Sequence, residues 1–253
     1  HITDSASVVD ELKMSNYSLV IIGTAHRYFN TFETVCEQFN TAILVHNLNF
    51  SKASKWALFR NVFRKEVLYR CKLLLKEDLL SAPEVYRKAK HLLVMDETAV
   101  SERFKYVPLL FYVPTENEII PNRIVIPGAV SQKRRDYNSV FRKIRKFSSH
   151  AEIVFLGKAK GKELQLLKNT EKKLPKNISV RYFTEKVPSS KFDEVMRSAA
   201  ILWCPIQKET EFFGVKEIYG KTKMSGNIGD AIKYGKMALF PKDFQSKYPF
   251  IVN

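Results

Sequence analysis

The stretch ILWCPIQKETEFFGVKEIYGKTKMSGNIGDAIKYGKMALFP, residues 201–241, decides how the whole chain is read. The short apolar run Ile201–Pro205 predicts a buried strand. A polar loop follows, then Lys221-Thr-Lys-Met-Ser-Gly226, then a helix with Ile228, Ala231, Ile232 and Tyr234 on its apolar face. Gly235 ends that helix, and Met237–Phe240 predicts the next buried strand. A Ser-Gly helix start offers backbone N–H groups to an anion, and the helix dipole favours negative charge there. Lys221 and Lys223 add positive charge beside it, so phosphate is the natural guest. An ordinary helix cap beside solvated lysines would give the same pattern.

Working outward, the same alternation of strand and helix fills the chain. In the first half, Ser7–Met14 predicts a helix, Ser18–Gly23 a strand and Arg27–Phe39 a helix. Thr41–His46 then predicts a strand, Lys52 to about Leu80 a long basic helix or helix pair, and Glu84–Lys90 a short helix. His91–Met95 and Lys105–Val113 complete this half as strands. Pro114–Pro121, polar and bracketed by prolines, is the linker candidate. After it come strands at Arg123–Ile126, Glu152–Leu156 and Ile178–Tyr182, and helices at Asp136–Phe147, Gly161–Leu174 and Ser190–Ser198. Such alternation with short connections implies α/β architecture, with parallel sheets covered by helices. The expectation is two Rossmann-like domains, residues 1–117 and 118–253. The first is short of an opening strand with a glycine-rich turn, and the second of a final helix, so either sequence is missing or the domains are unusually small.

Composition narrows the partners. The chain of 253 residues carries 42 Lys+Arg against 26 Asp+Glu, a formal charge of +16. That balance suits polyanions, acidic membrane surfaces or phosphorylated substrates. The three cysteines, Cys36, Cys71 and Cys204, are far apart and show no C-x-x-C spacing, so neither a disulfide framework nor a zinc site is indicated. A reducing compartment is the default, and the expected location is cytoplasmic, or peripheral at the inner face of a membrane. No apolar run approaches 18 residues, and no secretory signal is visible. Nucleic acid is not an expected partner, because the basic residues are spread along the chain and no binding motif for it is present.

Candidate site residues sit where α/β sheets bind ligands, beyond the carboxyl ends of strands. Gly128 follows one strand and leads into Lys133-Arg134-Arg135-Asp136-Tyr137. Glycine lets backbone approach a ligand, and the basic cluster can meet phosphate oxygens. A solvated loop would have the same composition. Lys158, Lys160 and Lys162, after Gly157, read as surface charge. His26 follows the first strand and His46-Asn47 the second. A histidine there can hydrogen-bond a substrate hydroxyl, although a lone one is more often structural. No histidine pair has metal-ligand spacing, and neither G-x-S-x-G nor a Walker A motif occurs. Glu209, Glu211 and Glu217 lie in the loop after Ile201–Pro205, and Glu209 and Glu217 show E-x7-E spacing. Asp230 lies one turn inside the helix that starts at Ser225.

From about Ile124 to Pro241 the chain resembles glycosyltransferases of the GT-B fold. The likeness is to the large retaining group that includes sucrose synthases and many bacterial polysaccharide enzymes. It rests on IPGAVSQKRRDY, AEIVFLG, ISVRYF and GKTKMSGNIGDAIKYGKMALFP in that order, with His26 and His46 fitting in the first half. The resemblance implies that a nucleotide-diphosphate sugar is held by the C-terminal domain and that the first domain takes the acceptor. Arg134 or Arg135 would match the basic residue on the diphosphate, with Gly128 and Lys223 alongside. Ser225, Gly226 and Asn227 would match the backbone donors to the distal phosphate, and Asp230 the acidic residue that meets the ribose. His46 would match the histidine near the transferred sugar, with His26 and Asn47 on the acceptor side. Thr222 stands where the family's first glutamate falls relative to Asp230. Which of Glu209, Glu211 and Glu217 replaces it stays open, with Glu209 and Glu211 the catalytic candidates beside His46.

The implied activity is transfer of a sugar to a saccharide or lipid-linked acceptor, with retention of configuration and with neither metal nor further cofactor. The alternative is a non-catalytic nucleotide-sugar- or polyanion-binding protein of the same fold. Within residues 52–76, Trp56, Phe59, Phe63 and Val67 recur at spacings of three and four among eight basic residues and one acid, Glu66. This stripe is expected to pack on the sheet. The competing reading is a basic face docked on anionic lipid.

Overall fold

The computed structural model describes residues 5–112, 114 and 118–253. It divides into two compact units, His1–Leu109 with Glu209–Met224, and Leu110–Lys208 with Ser225–Asn253. In chain order, the first unit opens with α1 (Ser5–Met14), β1 (Val20–Ile22), α2 (Phe29–Gln38) and β2 (Thr41–Leu44). It continues with α3 (Lys55–Val62), α4 (Val67–Glu77), α5 (Ala82–Lys88), β3 (His91–Val94) and β4 (Lys105–Tyr106). The second unit follows with β5 (Arg123–Pro127), α6 (Tyr137–Ile144), β6 (Ala151–Lys158), α7 (Gly161–Glu171), β7 (Ile178–Phe183), α8 (Ser189–Ser198) and β8 (Ile201–Trp203). A hairpin, β9 (Glu209–Phe212) and β10 (Val215–Ile218), belongs to the first unit. The chain then completes the second unit with α9 (Gly226–Tyr234), β11 (Ala238–Leu239) and β12 (Ile251–Val252).

The second sheet is all parallel, in the order β12-β11-β8-β5-β6-β7. Strand order reverses between β5 and β8, which is the doubly wound Rossmann pattern. Its central strands are buried on both faces: Val125, Ile126, Ile153, Val154 and Phe155 are fully enclosed. Continuous β-branched and aromatic runs such as RIVIP and EIVFL are what such strands require. Helix α6 closes one face with Tyr137, Val140, Phe141 and Ile144, spaced three, one and three residues apart. The first sheet is also parallel, in the order β1-β2-β3-β4. Its core gathers Phe29, Phe50, Leu58, Val62, Leu73, Leu79 and Val85. Each such side chain contributes about 1.5–3 kcal/mol by leaving water.

The α/β class with two Rossmann-like units agrees with the sequence; the division does not follow the expected boundary. Residues 113 and 115–117, the middle of the expected linker and the end of the expected strand Lys105–Val113, lie outside the described residues. The second unit begins earlier, at Leu110, because Leu110 and Tyr112 lie against the bare backbones of Gly229 and Gly235 in and after α9. The expected loop after Ile201–Pro205 is instead the β9–β10 hairpin. Phe213 and Gly214 both have positive φ, 47° and 79°, which makes the tight two-residue turn that joins twisted strands. The hairpin joins the first unit because Phe212 and Phe213 pack on Phe50, with ring centroids 4.8 and 5.7 Å away.

The aromatic stripe of residues 56–67 does not pack on the sheet. Of the expected long helix or helix pair the structure shows the pair, α3 and α4, divided at Glu66, whose φ is 51°. In α3 it is Leu58 and Val62, one turn apart, that enter the core, and Trp56, Phe59, Phe63 and Val67 are exposed. No helix among the described residues is long and apolar enough to cross a membrane.

Candidate functional site

In the second unit, the loop after β5 and the start of α9 meet at the reversal of strand order. Arg135 forms an isolated antiparallel bridge with Ile206, just past β8. The N–H of Asp136 donates to the Pro205 carbonyl at 2.7 Å, and that of Gln207 to the Arg134 carbonyl at 3.0 Å. These bonds fix Arg135 in place. Its guanidinium lies over Gly128, whose φ is 97°, and a β-carbon there would fall 2.4 Å from Nη2. Gly157 on β6 makes room in turn, since a β-carbon on it would strike the Gly128 carbonyl at 2.3 Å. Glycine is required at 157 by contact with backbone and at 128 by its positive φ.

Arg135 Nη2 donates to Asn227 Oδ1 at 3.3 Å, and Nη1 to the Ala129 carbonyl at 3.3 Å. Its Nε is buried without a hydrogen-bond partner among the described residues. Asn227 Nδ2 donates to Asp230 Oδ2 at 3.0 Å. Burial raises the Asp230 pKa, opposed by the Asn227 hydrogen bond and the Arg135 charge. Ser225 caps the helix as the sequence predicts, its Oγ accepting the Asn227 N–H at 3.3 Å. Gly226, the first helical residue, is exposed. A cation held by backbone, a helix N-terminus and an exposed glycine together suit an anion with several oxygens. Between the two arginine candidates, the geometry favours Arg135, because the Arg134 side chain is exposed.

The first unit gathers a different set. His26 follows β1, His46 and Asn47 follow β2, and their rings and amide meet at the carboxyl edge of that sheet. The His26 and His46 rings are 5.8 Å apart, edge to face. Lys223 Nζ donates to Asn47 Oδ1, which turns the amide so that Nδ2 donates to His26 Nε2 at 3.0 Å. A nitrogen that accepts carries no proton, so His26 is neutral with its proton on Nδ1. Its pKa is lowered to about 4, first by burial and then by His46 and Lys223. His46 Nε2 lies 2.8 Å from the Gly23 carbonyl, which can only accept. The His46 proton therefore sits on Nε2, and Nδ1 is the nitrogen left to act as base.

Lys223 thus belongs to the first unit, at Asn47, and not with Ser225–Asp230 in one domain as the sequence suggested. The three glutamates part company as well. Glu209 is exposed on β9. Glu211 forms ion pairs with Lys65 at 3.4 Å and Arg70 at 3.5 Å. Glu217 is fully buried and accepts the N–H groups of Phe50 at 2.9 Å and Asn49 at 3.3 Å. Burial raises its pKa. The E-x7-E spacing of Glu209 and Glu217 is a product of the hairpin: Glu217 faces Thr210 across it, and Glu209 faces Ile218. Thr222 Oγ1 accepts the Ile218 N–H at 2.8 Å, closing the turn after β10.

Sequence reasoning missed Phe212, whose ring lies 4.4 Å from that of His26 and 5.8 Å from Lys223 Nζ. Alternation in ETEF and VKEI around a Phe-Gly pair was the available signal for the hairpin that carries it.

No family model matches the sequence, and no curated protein does. Solved structures do match. An alpha-glucosyltransferase (AGT) in complex with UDP aligns with 95% of the chain at 12% identity and TM-score 0.50. An alpha-glucosyltransferase with UDP and a 13-mer DNA containing a HMU base aligns with 95% at 13% identity and TM-score 0.52. A putative UDP-N-acetylglucosamine 2-epimerase from Listeria monocytogenes aligns with 96% at 10% identity and TM-score 0.48. The chain spans 66%, 65% and 61% of the lengths of these three. At such identities the likeness to the two alpha-glucosyltransferase structures is one of fold, and the fold is GT-B-like.

Proposed function

We propose that the chain is a glycosyltransferase that moves a sugar from a nucleotide-diphosphate donor to a saccharide or lipid-linked acceptor. The observation that carries this reading is Arg135, fixed by backbone over Gly128 at the strand-order reversal and joined to the start of α9. In the proposed reaction Arg135 and the Gly226 N–H hold the diphosphate. They stabilise charge as it develops on the leaving group, so no metal is required for that step. Asp230 meets the nucleotide ribose. The resemblance assigns the acceptor and the transferred sugar to His26, His46 and Asn47, and His46 Nδ1 is the atom able to hold a proton. Retention of configuration is inherited from the resemblance to retaining enzymes, as is a role in cell-surface polysaccharide synthesis at the inner face of a membrane.

The test is calorimetric titration with a panel of nucleoside diphosphates, followed by turnover assays of the matching nucleotide sugars with and without acceptors. A charge-assisted hydrogen bond contributes about 1.5–3 kcal/mol, so Arg135→Ala weakens diphosphate binding roughly tenfold or more. Arg134→Ala has a smaller effect. Unchanged affinity in Arg135→Ala would remove the assignment. The anomer of the product, followed by proton NMR, decides retention.

The ion pairs of Glu211 with Lys65 and Arg70, and Thr222 at the position of the family's first glutamate, favour a second reading. In it the chain binds the nucleotide sugar without turning it over. Donor binding with no transfer to any acceptor would decide for that reading.

A further inference from the structure

Helix α3 has two apolar faces. Leu58 and Val62 fill the first core, and Trp56, Phe59 and Phe63 stand outside it, 69%, 37% and 58% exposed. The three rings touch in a row, with centroids 6.0 and 5.4 Å apart. Helix α4 also exposes Val67, Tyr69, Leu68 (90% exposed) and Leu75 (83%). Single exposed hydrophobic residues need no explanation, but a contiguous row of large ones marks an interaction surface. Charge identifies the occupant. Lys55, Arg60, Arg64, Lys65, Lys72 and Lys76 are exposed on these two helices and the turn between them, against the single exposed acid Glu66. Aromatic rings suit the acyl–headgroup boundary, and long basic side chains reach back to anionic headgroups.

The geometry points to α3 and α4 as a face that docks on an anionic lipid bilayer. The docking does not rest on the glycosyltransferase reading, but it deepens it. Glu211, paired with Lys65 and Arg70, precedes Phe212, which lies against His26. The lipid face and the histidine edge therefore share the β9–β10 hairpin, and a membrane-held, lipid-linked acceptor is the class this arrangement serves.

The test is co-sedimentation of the full chain with vesicles of phosphatidylcholine alone or mixed with phosphatidylglycerol, at low and high salt. Binding is expected to the anionic vesicles only and to weaken with salt. Two double variants, Trp56→Ser/Phe63→Ser and Arg60→Glu/Arg64→Glu, each lower the partition coefficient by about tenfold or more. Both alter exposed side chains, so the melting temperature and the nucleoside diphosphate affinity stay at wild-type values. That readout separates failure of the docking from failure of the donor-site reading. Equal partitioning to both vesicle types, or no effect of either variant, overturns the proposal. So does self-association relieved by Trp56→Ser/Phe63→Ser, which assigns the face to a second copy. Duplex DNA binding lost in Arg60→Glu/Arg64→Glu, with no vesicle binding, assigns it to nucleic acid.

Discussion

At the carboxyl edge of the first sheet, Lys223, Asn47 and His26 form a chain of hydrogen bonds that ends on a neutral ring. At that of the second, Arg135 lies over a glycine, its Nε buried and unpartnered among the described residues. The topologies differ in step with this. The described strands of the first sheet run in sequence order without reversal, whereas the second reverses between β5 and β8. A reversal sends consecutive crossovers to opposite sides and opens a crevice between two strand ends. The second unit can thus seat a phosphate on backbone N–H groups and a fixed cation. The first has no such reversal among its described strands and closes its edge with an added hairpin. Its polar groups are largely used in holding one another, which suits orientation of a neutral hydroxyl better than capture of an anion.

The strongest way to break this comparison is to remove the pin of the hairpin. Glu217→Ala leaves the buried Phe50 N–H unpaired, removes the acceptor of the Asn49 N–H and opens a cavity. The expected loss is about 3–5 kcal/mol, measured by urea denaturation. Glu209→Ala, on the exposed strand, changes stability by less than about 0.5 kcal/mol. Similar losses for both would mean that the hairpin is not held by this carboxylate.

These two glutamates also show what the sequence could and could not convey. Buried parallel strands were legible because RIVIP and EIVFL permit little else, and the Ser225 cap and Gly235 stop were legible from local chemistry. The hairpin was not. Its carboxylate partner is the backbone of residues 49 and 50, 168 and 167 positions away, and no local spacing encodes such a contact. The aromatic stripe failed for a related reason. Periodicity identifies an apolar face but not which of two faces turns inward, and α3 has two. Among the candidate residues, Gly128 and Ser225–Asp230 lie in the second unit, near Arg135. Lys223, whose partner is Asn47, lies in the first.

A middle-sized effect sharpens the donor side. Gly128→Ala places a methyl group where the Arg135 guanidinium lies and strains a backbone with φ of 97°. The expected cost is about 2 kcal/mol of stability, with diphosphate affinity reduced together with it. Gly226→Ala, where a β-carbon meets nothing within 4 Å, serves as the control and leaves stability near wild type. Calorimetry that found full affinity in Gly128→Ala would show that Arg135 need not occupy its observed position to hold the ligand.

The smallest effect tests the neutral side. The His26 pKa is lowered to about 4, first by burial and then by its neighbours His46 and Lys223. An unfolded histidine takes up a proton as pH falls through about 6.5, and the folded ring stays neutral until about 4. Between those values the unfolded state binds more protons, so this ring's contribution to stability is present at pH 7 and lost on acidification. A fully desolvated ring would contribute about 3 kcal/mol, and solvent screening of this partly buried one reduces that to about 1 kcal/mol. Carboxylates titrate over part of the same range, so the comparison is with His26→Gln, whose amide can still accept from Asn47. Urea denaturation at pH 7 and pH 4.5 should show wild type losing about 1 kcal/mol more than the variant. Parallel pH profiles would mean that His26 takes up its proton in the folded state as readily as in the unfolded one. The Lys223–Asn47 chain would then not be holding it neutral, and the electrostatic contrast between the two edges would rest on Arg135 alone.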